Sequence, residues 1–291
     1  MDGFPKYSLR GLEGRRIMGV GESLVVVEGI SDVWVYQRFI DDRKRLMPVE
    51  DIADVRSNRE AIVSMSTDFP EHSFIVDEDL MTLSEEESQE SLPGNLATTW
   101  ELNDIECWAF HALDQAGRLD QIGITPDDVG LAVEMSKKFG LMRLISKRMG
   151  GGASSRWRLD FDGCKDRMLG NPPRIHMDYD VVEMVVRRQT RDTVSADRWR
   201  EKVRKAEREF SGTRSLKLVA GHDLTFFLYY ACAQRSGRAP TSRGKRDFER
   251  LLVNKSLRYR QGWNGLISGK IAGFLRAGVG LGGRPPNRRW K

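Results

Sequence analysis

The chain has 291 residues, of which 40% are hydrophobic and 31% charged, so it is long enough for one large or two ordinary domains with a substantial core. It contains no apolar run near the roughly 20 residues of a membrane-spanning helix and begins without the apolar core of a secretory signal, so we expect a cytoplasmic protein without a membrane partner. Its three cysteines, Cys107, Cys164 and Cys232, are widely spaced, which argues against a disulfide framework or a structural zinc site.

Charge is distributed unevenly along the chain. Residues 1–130 hold 11 Lys and Arg against 27 Asp and Glu, whereas residues 131–291 hold 36 against 15. A basic second half suits contact with phosphates, and an acidic first half suits a polyanionic ligand if its carboxylates hold divalent cations. The alternative is that the two halves attract each other and that no nucleic acid is involved.

The first clear strand ends at an acidic residue. Leu24–Val27 is an apolar, β-branched run, which predicts a buried strand of a parallel sheet, and Glu28 follows it directly. A helix is predicted next, with Ser31 or Asp32 as its N-cap, because apolar residues then recur at helical spacing up to residue 40.

Strands and helices continue to alternate up to residue 76. A strand over 47–55, a helix over 58–66 and a strand over 72–76 complete a β-α-β-α-β series, which predicts an α/β fold with a parallel sheet. The last of these strands runs into Asp77-Glu78-Asp79. Because the carboxyl ends of parallel strands meet at one edge of a sheet, this acidic run and Glu28 are expected to lie close together.

Glu28, Asp77 and Asp79 are therefore candidate catalytic and metal-binding residues. Three carboxylates within a few ångström need a counter-charge, and Mg²⁺, or alternatively Mn²⁺, supplies it through oxygen ligands. Such an ion polarises a phosphodiester and orients an attacking water, as in metal-dependent nucleases. The alternative is that all three are ordinary loop residues after strands.

Helices predominate in the rest of the chain. Helices are predicted to begin at Asn103 and at Asp127 or Asp128, and to cover 181–188, 195–210 and 224–231. Further strands are predicted over 100–102, 156–161 and 216–220. Basic residues alternate with aromatic residues and glycine near the end of the chain, a pattern that can follow a phosphate backbone and stack on bases. The candidate nucleic-acid-binding residues are Lys147, Arg148, Arg243, Lys245, Arg246, Arg258 and Arg260.

The two acidic motifs resemble a known family. Glu28-Gly29-x-x-Asp32 and Asp77-x-Asp79 look like the E-G-x-x-D and D-x-D motifs of the Toprim domain of topoisomerases, primases and OLD-type nucleases. The resemblance implies that Glu28 serves acid/base catalysis or metal binding, that Asp77 and Asp79 coordinate Mg²⁺, and that Asp32 supports them. It predicts a lead-in over 1–21, a Toprim-type, Rossmann-like catalytic domain over 22–116 and a basic, mainly helical α+β region over 117–291.

Two further segments are similar to a bacterial group of Toprim-like proteins. They are Asn103–Glu106 and Gly221–Asp223, and the group includes the nuclease effector that is paired with an ABC-type ATPase in the PARIS phage-defence system. The resemblance implies a further metal ligand at Glu106 and supporting roles for Asp104, His222 and Asp223. Each has a structural alternative: Asn103 and Glu106 match a capping box, Asp223 an N-cap, and His222 a partner for a backbone carbonyl. The catalytic lysine of some OLD-type enzymes has no match.

These features together predict a Mg²⁺-dependent endonuclease, with RNA favoured over DNA, that is the toxic effector of an anti-phage system. The expected partners are a nucleic-acid substrate, an ABC-type ATPase that holds the nuclease inactive, and, as a further candidate, a second copy of the chain. Two alternatives stay open. One is an RNA-maturation or primase-like Toprim enzyme, and the other is a non-catalytic nucleic-acid-binding module with a degenerate site.

Overall fold

The computed structural model describes residues 7–8, 23–40, 46–49, 52–53, 59–78, 92–99, 102–148, 196–212, 215–267 and 269–276. The chain divides into two compact units. The first comprises Met1–Asp77, Leu92–Thr99 and Asn264–Lys291, and the second comprises Glu78–Ser91 and Trp100–Trp263. The predicted lead-in over 1–21 lies almost wholly outside the described residues, and the predicted domain division after residue 116 stays a prediction.

The described elements are short strands followed by longer helices. The strands are β1 (Tyr7–Ser8), β2 (Val25–Val27), β3 (Leu46–Pro48), β4 (Ile52–Ala53), β5 (Ser73–Val76) and β6 (Leu96–Thr98). The helices are α1 (Ile30–Tyr36), α2 (Arg59–Asp68), α3 (Ile105–Gln115), α4 (Pro126–Arg148), α5 (Ala196–Glu209), α6 (Gly221–Arg235), α7 (Ser242–Ser256), α8 (Asn264–Ile267) and α9 (Gly269–Arg276). Single 3₁₀ turns cover Leu119–Ile122, Ser215–Leu218 and Arg260–Trp263.

The first unit contains a four-stranded parallel sheet in the order β3-β2-β5-β6. Strand β2 is central, because it pairs with β3 on one side and with β5 on the other. Strands β1 and β4 form a separate parallel pair. The predicted α/β class with a parallel sheet is confirmed.

One face of this sheet is covered by α2. Val26 pairs in register with Phe74, and Phe74 with Leu96, so the three side chains lie on the same face. They form one buried cluster with residues of α2, including Ile62 and Met65. Each such side chain stabilises the fold by roughly 1.5–3 kcal/mol relative to an exposed one. Because these alternating side chains are buried, the register between the strands is fixed. The register in turn determines where the strands end.

The described part of the second unit is helical. Helix α4 packs against α6, where the rings of Phe139 and Phe227 meet edge to face with centroids 5.4 Å apart. Helix α3 packs against α7 and against the turn at Arg260–Trp263. Across the described residues of the whole chain, no helix combines the length and apolar character that a membrane span requires.

Two predicted strands differ from the structure. The run over 47–55 is divided between β3 and β4, which belong to different sheets, and β3 ends at Pro48. Pro48 has no N–H for a ladder bond, which suits its place on an edge strand. The apolar residues at 216–220 begin in a 3₁₀ turn. The strand β6, which pairs with β5, was not predicted, and Trp100 and Glu101 of the strand predicted over 100–102 lie outside the described residues. The predictions over 156–161 and 181–188 lie outside the described residues.

Candidate metal centre

Strands β2 and β5 form the topological switch point of the sheet. From β2 the chain continues through α1 to β3 on one side, whereas from β5 it continues to β6 on the other side. In open parallel sheets, ligands bind in the crevice outside the carboxyl ends of two such strands. Glu28 directly follows β2 and Asp77 directly follows β5, so both residues stand at this crevice.

A hydrogen bond joins the two acidic motifs. The backbone N–H of Asp77 donates to Glu28 Oε1 at 2.8 Å, and both residues are half-buried. A carboxylate offers about four lone-pair sites, so Glu28 retains the capacity to accept or ligate further groups after this bond. The structure thus brings Glu28 and Asp77 together, whereas Asp79 lies outside the described residues.

Asp32 fixes the turn that follows Glu28. Its Oδ2 accepts a hydrogen bond from the Gly29 N–H at 2.7 Å, and only 6% of the residue is exposed. The N-cap of α1 is Gly29, so the prediction of Ser31 or Asp32 at that position was wrong. Gly29 has no side chain to cap the helix, and the carboxylate of Asp32, three residues later, reaches back to its free N–H instead.

Tyr36 brings a buried hydroxyl to the same region. It lies one helical turn after Asp32 on α1, it is 1% exposed, and its hydroxyl has no hydrogen-bond partner among the described residues. Burial raises the pKa of Tyr36 well above its ordinary value, and the charges of Asp32, Asp77 and Glu28 raise it further. The hydroxyl therefore keeps its proton in the field of three carboxylates. The sequence pattern had placed Tyr36 only among the apolar residues of the helix.

The donor atoms at this crevice fit a hard divalent cation. Mg²⁺ typically keeps several waters and takes one or two carboxylates, which Glu28 and Asp77 supply. The hydroxyl of Tyr36, which has no hydrogen-bond partner among the described residues, is a neutral donor suited to the oxygen of a bound water. Within the part of the chain that the structure describes, no group of three or more His, Cys, Asp or Glu residues is arranged to hold a metal ion. The predicted set of three carboxylates includes Asp79, which is not described.

Asp104 in the second unit caps two helices. It is the N-cap of α3, where Oδ1 accepts from the Cys107 N–H at 2.9 Å, and its other oxygen accepts from the Gly221 N–H at the start of α6. The predicted capping box of Asn103 and Glu106 was therefore wrong. The side chain of Asn103 donates instead to the Lys217 and Val219 carbonyls at 2.9 and 2.6 Å.

Charged groups surround Asp104. Burial and the nearby charge of Glu106 raise the pKa of Asp104, while His222 and the two backbone hydrogen bonds act in the opposite direction. The charge of Glu106, followed by the interaction with Glu249, raises the pKa of His222 well above its ordinary value. His222 Nδ1 lies 3.9 Å from Glu249 Oε1, and 70% of the histidine side chain is exposed, so solvent screens part of this effect.

Glu249 anchors this cluster from helix α7. Its Oε1 accepts a hydrogen bond from Thr225 Oγ1 at 3.1 Å and lies 3.3 Å from Lys245 Nζ. Burial opposes ionisation, but the contacts with His222, Lys245 and Thr225 together lower the pKa of Glu249 to about 2. Lys245, predicted as a nucleic-acid contact, is therefore part of an ion pair in the structure.

Asp223 joins two helices through an ion pair. It is fully buried, and Arg143 of α4 donates to both of its oxygens, from Nε at 2.7 Å and from Nη2 at 2.9 Å. The N-cap of α6 is Ala220, so the interpretation of Asp223 as an N-cap was wrong. Its two-point pairing with Arg143 gives Asp223 a structural role, which is how it supports the fold.

Four of the seven predicted nucleic-acid-binding residues present exposed guanidinium groups. They are Arg243, Arg246, Arg258 and Arg260. Arg243 is 89% exposed and lies 3.9 Å from Asp247, which is itself 61% exposed. Lys147 and Arg148 lie in the last turn of α4.

Comparison of the chain with protein-family models, with curated proteins and with solved structures found no match. The resemblance to Toprim proteins therefore depends on the residues quoted above.

Proposed function

We propose that the protein is a Mg²⁺-dependent endonuclease of the Toprim type, in which Glu28, Asp77 and Asp79 hold the metal. The observation that carries the proposal is the hydrogen bond from the Asp77 N–H to Glu28 at the switch point of the parallel sheet. It brings two acidic residues 49 positions apart in sequence to the crevice where α/β proteins bind their ligands.

The residues around the crevice have separate tasks in this proposal. A divalent cation bound there would polarise a phosphodiester and lower the pKa of a bound water. The Asp77 amide orients the Glu28 carboxylate, and Asp32 holds the Gly29 N–H, so both the side chain of Glu28 and the turn that follows it are fixed. Tyr36 is buried, and its hydroxyl would stay protonated in the field of these carboxylates.

The proposed substrate is nucleic acid, with RNA favoured. Support comes from the exposed arginines of the second unit, since guanidinium groups bind phosphates in two-point geometry. Contacts of this kind position a nucleic acid without reading its sequence. The further proposal, a toxic anti-phage effector held inactive by an ABC-type ATPase, is supported by the resemblance of the acidic and Gly221–Asp223 motifs.

A cleavage assay tests the proposal. Purified wild type, Glu28→Gln and Asp77→Asn would each be incubated with plasmid DNA and total RNA, with Mg²⁺ or with EDTA. We expect wild type to cut with Mg²⁺ only, and both variants to lose at least about 100-fold in rate while keeping the wild-type melting temperature within a few degrees.

Glu71→Gln is the matched control. Glu71 is exposed and lies just before β5, at the opposite edge of the same sheet, so its loss should leave cleavage unchanged. Full activity of Glu28→Gln, or equal cleavage in EDTA, would refute the proposal.

A second candidate is a nucleic-acid-binding module without catalysis. The hydrogen bond from the Asp77 N–H to Glu28 favours this candidate too, because it gives the Glu28 carboxylate a structural role that requires no metal. This candidate predicts binding to RNA or DNA that is the same in Mg²⁺ and in EDTA. It also predicts that Glu28→Gln lowers the melting temperature without affecting nucleic-acid affinity.

A further inference from the structure

The hydroxyl of Tyr36 is a buried donor that the described residues leave unpaired. The residue is 1% exposed, and no hydrogen-bond partner for Oη is found in the described ranges. Buried polar groups are almost always paired, because an unpaired one destabilises the folded state. A phenylalanine would fill the same space without burying a hydroxyl, so it is the presence of the hydroxyl that has to be explained.

The surroundings of this hydroxyl indicate what it pairs with. Asp32 lies one turn earlier on α1 and is also buried, so the two side chains share one face of the helix. The charges of Asp77 and Glu28, which follow the two central strands, also act on the phenol. The hydroxyl is thus a buried neutral donor on the helix that follows Glu28, within electrostatic range of the carboxylates at the switch point.

We propose that Tyr36 is a positioning residue of the candidate metal centre, whose hydroxyl donates a hydrogen bond to a water in the coordination shell of a divalent cation held by Glu28 and Asp77. The inference rests on the proposed function, because it requires that centre. It goes beyond it by assigning a task to a residue outside both acidic motifs. Groups of this kind orient the ligands of a metal, and their loss typically weakens metal affinity 10- to 100-fold.

The test compares Tyr36→Phe with wild type by calorimetric titration with Mn²⁺ and by thermal unfolding with and without Mn²⁺. We expect Tyr36→Phe to bind Mn²⁺ about 10- to 100-fold more weakly than wild type. Without metal, we expect its melting temperature to equal or exceed that of wild type, because the variant removes an unpaired buried hydroxyl and keeps the ring.

Tyr229→Phe is the matched control. The Tyr229 hydroxyl accepts a hydrogen bond from the Thr241 N–H at 3.0 Å, so it has a partner within the chain. Its removal should lower the melting temperature slightly and leave the Mn²⁺ affinity unchanged. The pair of variants separates loss of an internal hydrogen bond from loss of a metal-directed one.

The outcomes are distinguishable. Wild-type Mn²⁺ affinity in Tyr36→Phe, beside a clear loss in Glu28→Gln, would overturn the role of Tyr36 and leave the proposed function standing. A lower melting temperature of Tyr36→Phe without metal would show that the hydroxyl has a protein partner, and would also overturn it. Absence of Mn²⁺ binding by wild type would overturn the proposed function together with this inference.

Discussion

The single carboxylate of Asp104 accepts hydrogen bonds at the N-termini of two helices. Its oxygens accept from the N–H groups of Cys107 in α3 and Gly221 in α6, and the first N–H groups of a helix have no partner within the helix. Gly221 makes the approach possible, because a Cβ there would clash with the Asp104 side chain and lie 2.6 Å from Glu106 Cβ. We therefore interpret Asp104 as a structural residue.

His222 is expected to make stability depend on pH. Glu106 and Glu249 favour the protonated imidazole, so the pKa of His222 is higher in the folded protein than in the unfolded chain. A raised pKa gives stability that is fully present below pH about 6.5 and is lost as the pH rises through the folded value. Urea unfolding should show that the free energy of unfolding of wild type falls between pH 6 and pH 9 by more than that of His222→Gln. Parallel pH profiles of the two proteins would contradict this expectation.

Local patterns predicted the positions of the acidic residues but not their partners. Glu28 and Asp77 follow apolar runs of three or four residues, which a sequence shows directly. The amide that binds Glu28 lies 49 residues away, and its identity depends on which strands pair. Tyr36 escaped notice because a tyrosine at a buried helical position has the same spacing as the apolar residues around it.

At the scale of elements, the contact between α4 and the turn at Ser215–Leu218 depends on one glycine. A Cβ at Gly140 would clash with the Leu218 carbonyl oxygen and lie 2.7 Å from the carbonyl carbon. The obstacle is backbone, which has little freedom to move. The same helix contains Gly130, where an added Cβ would meet nothing within 4 Å.

These two glycines give a matched pair of substitutions in one helix. We expect Gly140→Ala to lower the free energy of unfolding by about 3 kcal/mol or more, because the backbone has to shift. Gly130→Ala should raise it by up to about 1 kcal/mol, since alanine is the better helix former. Denaturant unfolding of both variants provides the measurement, and a Gly140→Ala protein as stable as wild type would refute the packing described.

Helix α7 carries an arginine stripe, defined here as Arg243, Arg246 and Arg250. All three are exposed and recur at helical spacing, so they lie along one face. The double variant Arg243→Ala/Arg246→Ala should bind single-stranded RNA more weakly and reduce the slope of log Kd against log salt by about 1 to 2. Fluorescence anisotropy in EDTA over several salt concentrations measures both quantities.

Arg200→Ala/Arg204→Ala on α5 is the control for the stripe. Helix α5 holds six Lys and Arg against four Asp and Glu, and α7 holds five against two, so a larger share of the positive charge on α5 is offset within the helix. Arg200, for example, lies 3.7 Å from Asp197. We expect little change in affinity or salt slope for this variant. An equal loss in both double variants would mean that α7 has no special role.

Elements with long periodic patterns could be predicted from the sequence, whereas some of the short ones could not. Helices α3 and α5 are present where the spacing of apolar residues placed them. The residues at 215–218 and 96–98 show the limit, because a segment of three or four residues is too short to distinguish the period of a strand from that of a 3₁₀ turn. Pairing with β5, a contact distant in sequence, decides the outcome for 96–98.

At the scale of the whole molecule, the uneven charge of the sequence does not follow the two units, because the second unit also contains the acidic segment Glu78–Ser91. The first unit carries the carboxylates of the candidate metal centre, and the second carries the arginine stripe of α7. The alternation of strands and helices was sufficient to predict the parallel sheet. The grouping of α3 with the second unit was not predictable, because it depends on contacts with α6 and α7 more than 100 residues away.

The most direct test of the account is an anomalous-scattering map of crystals soaked in Mn²⁺. The central claim is that Glu28 and Asp77 hold one divalent cation at the switch point of the sheet. We expect a strong anomalous peak within coordination distance of both carboxylates, about 2.0–2.3 Å from their oxygens, which is absent from crystals of Glu28→Gln. A map of fully soaked wild-type crystals without a peak at these carboxylates would contradict it.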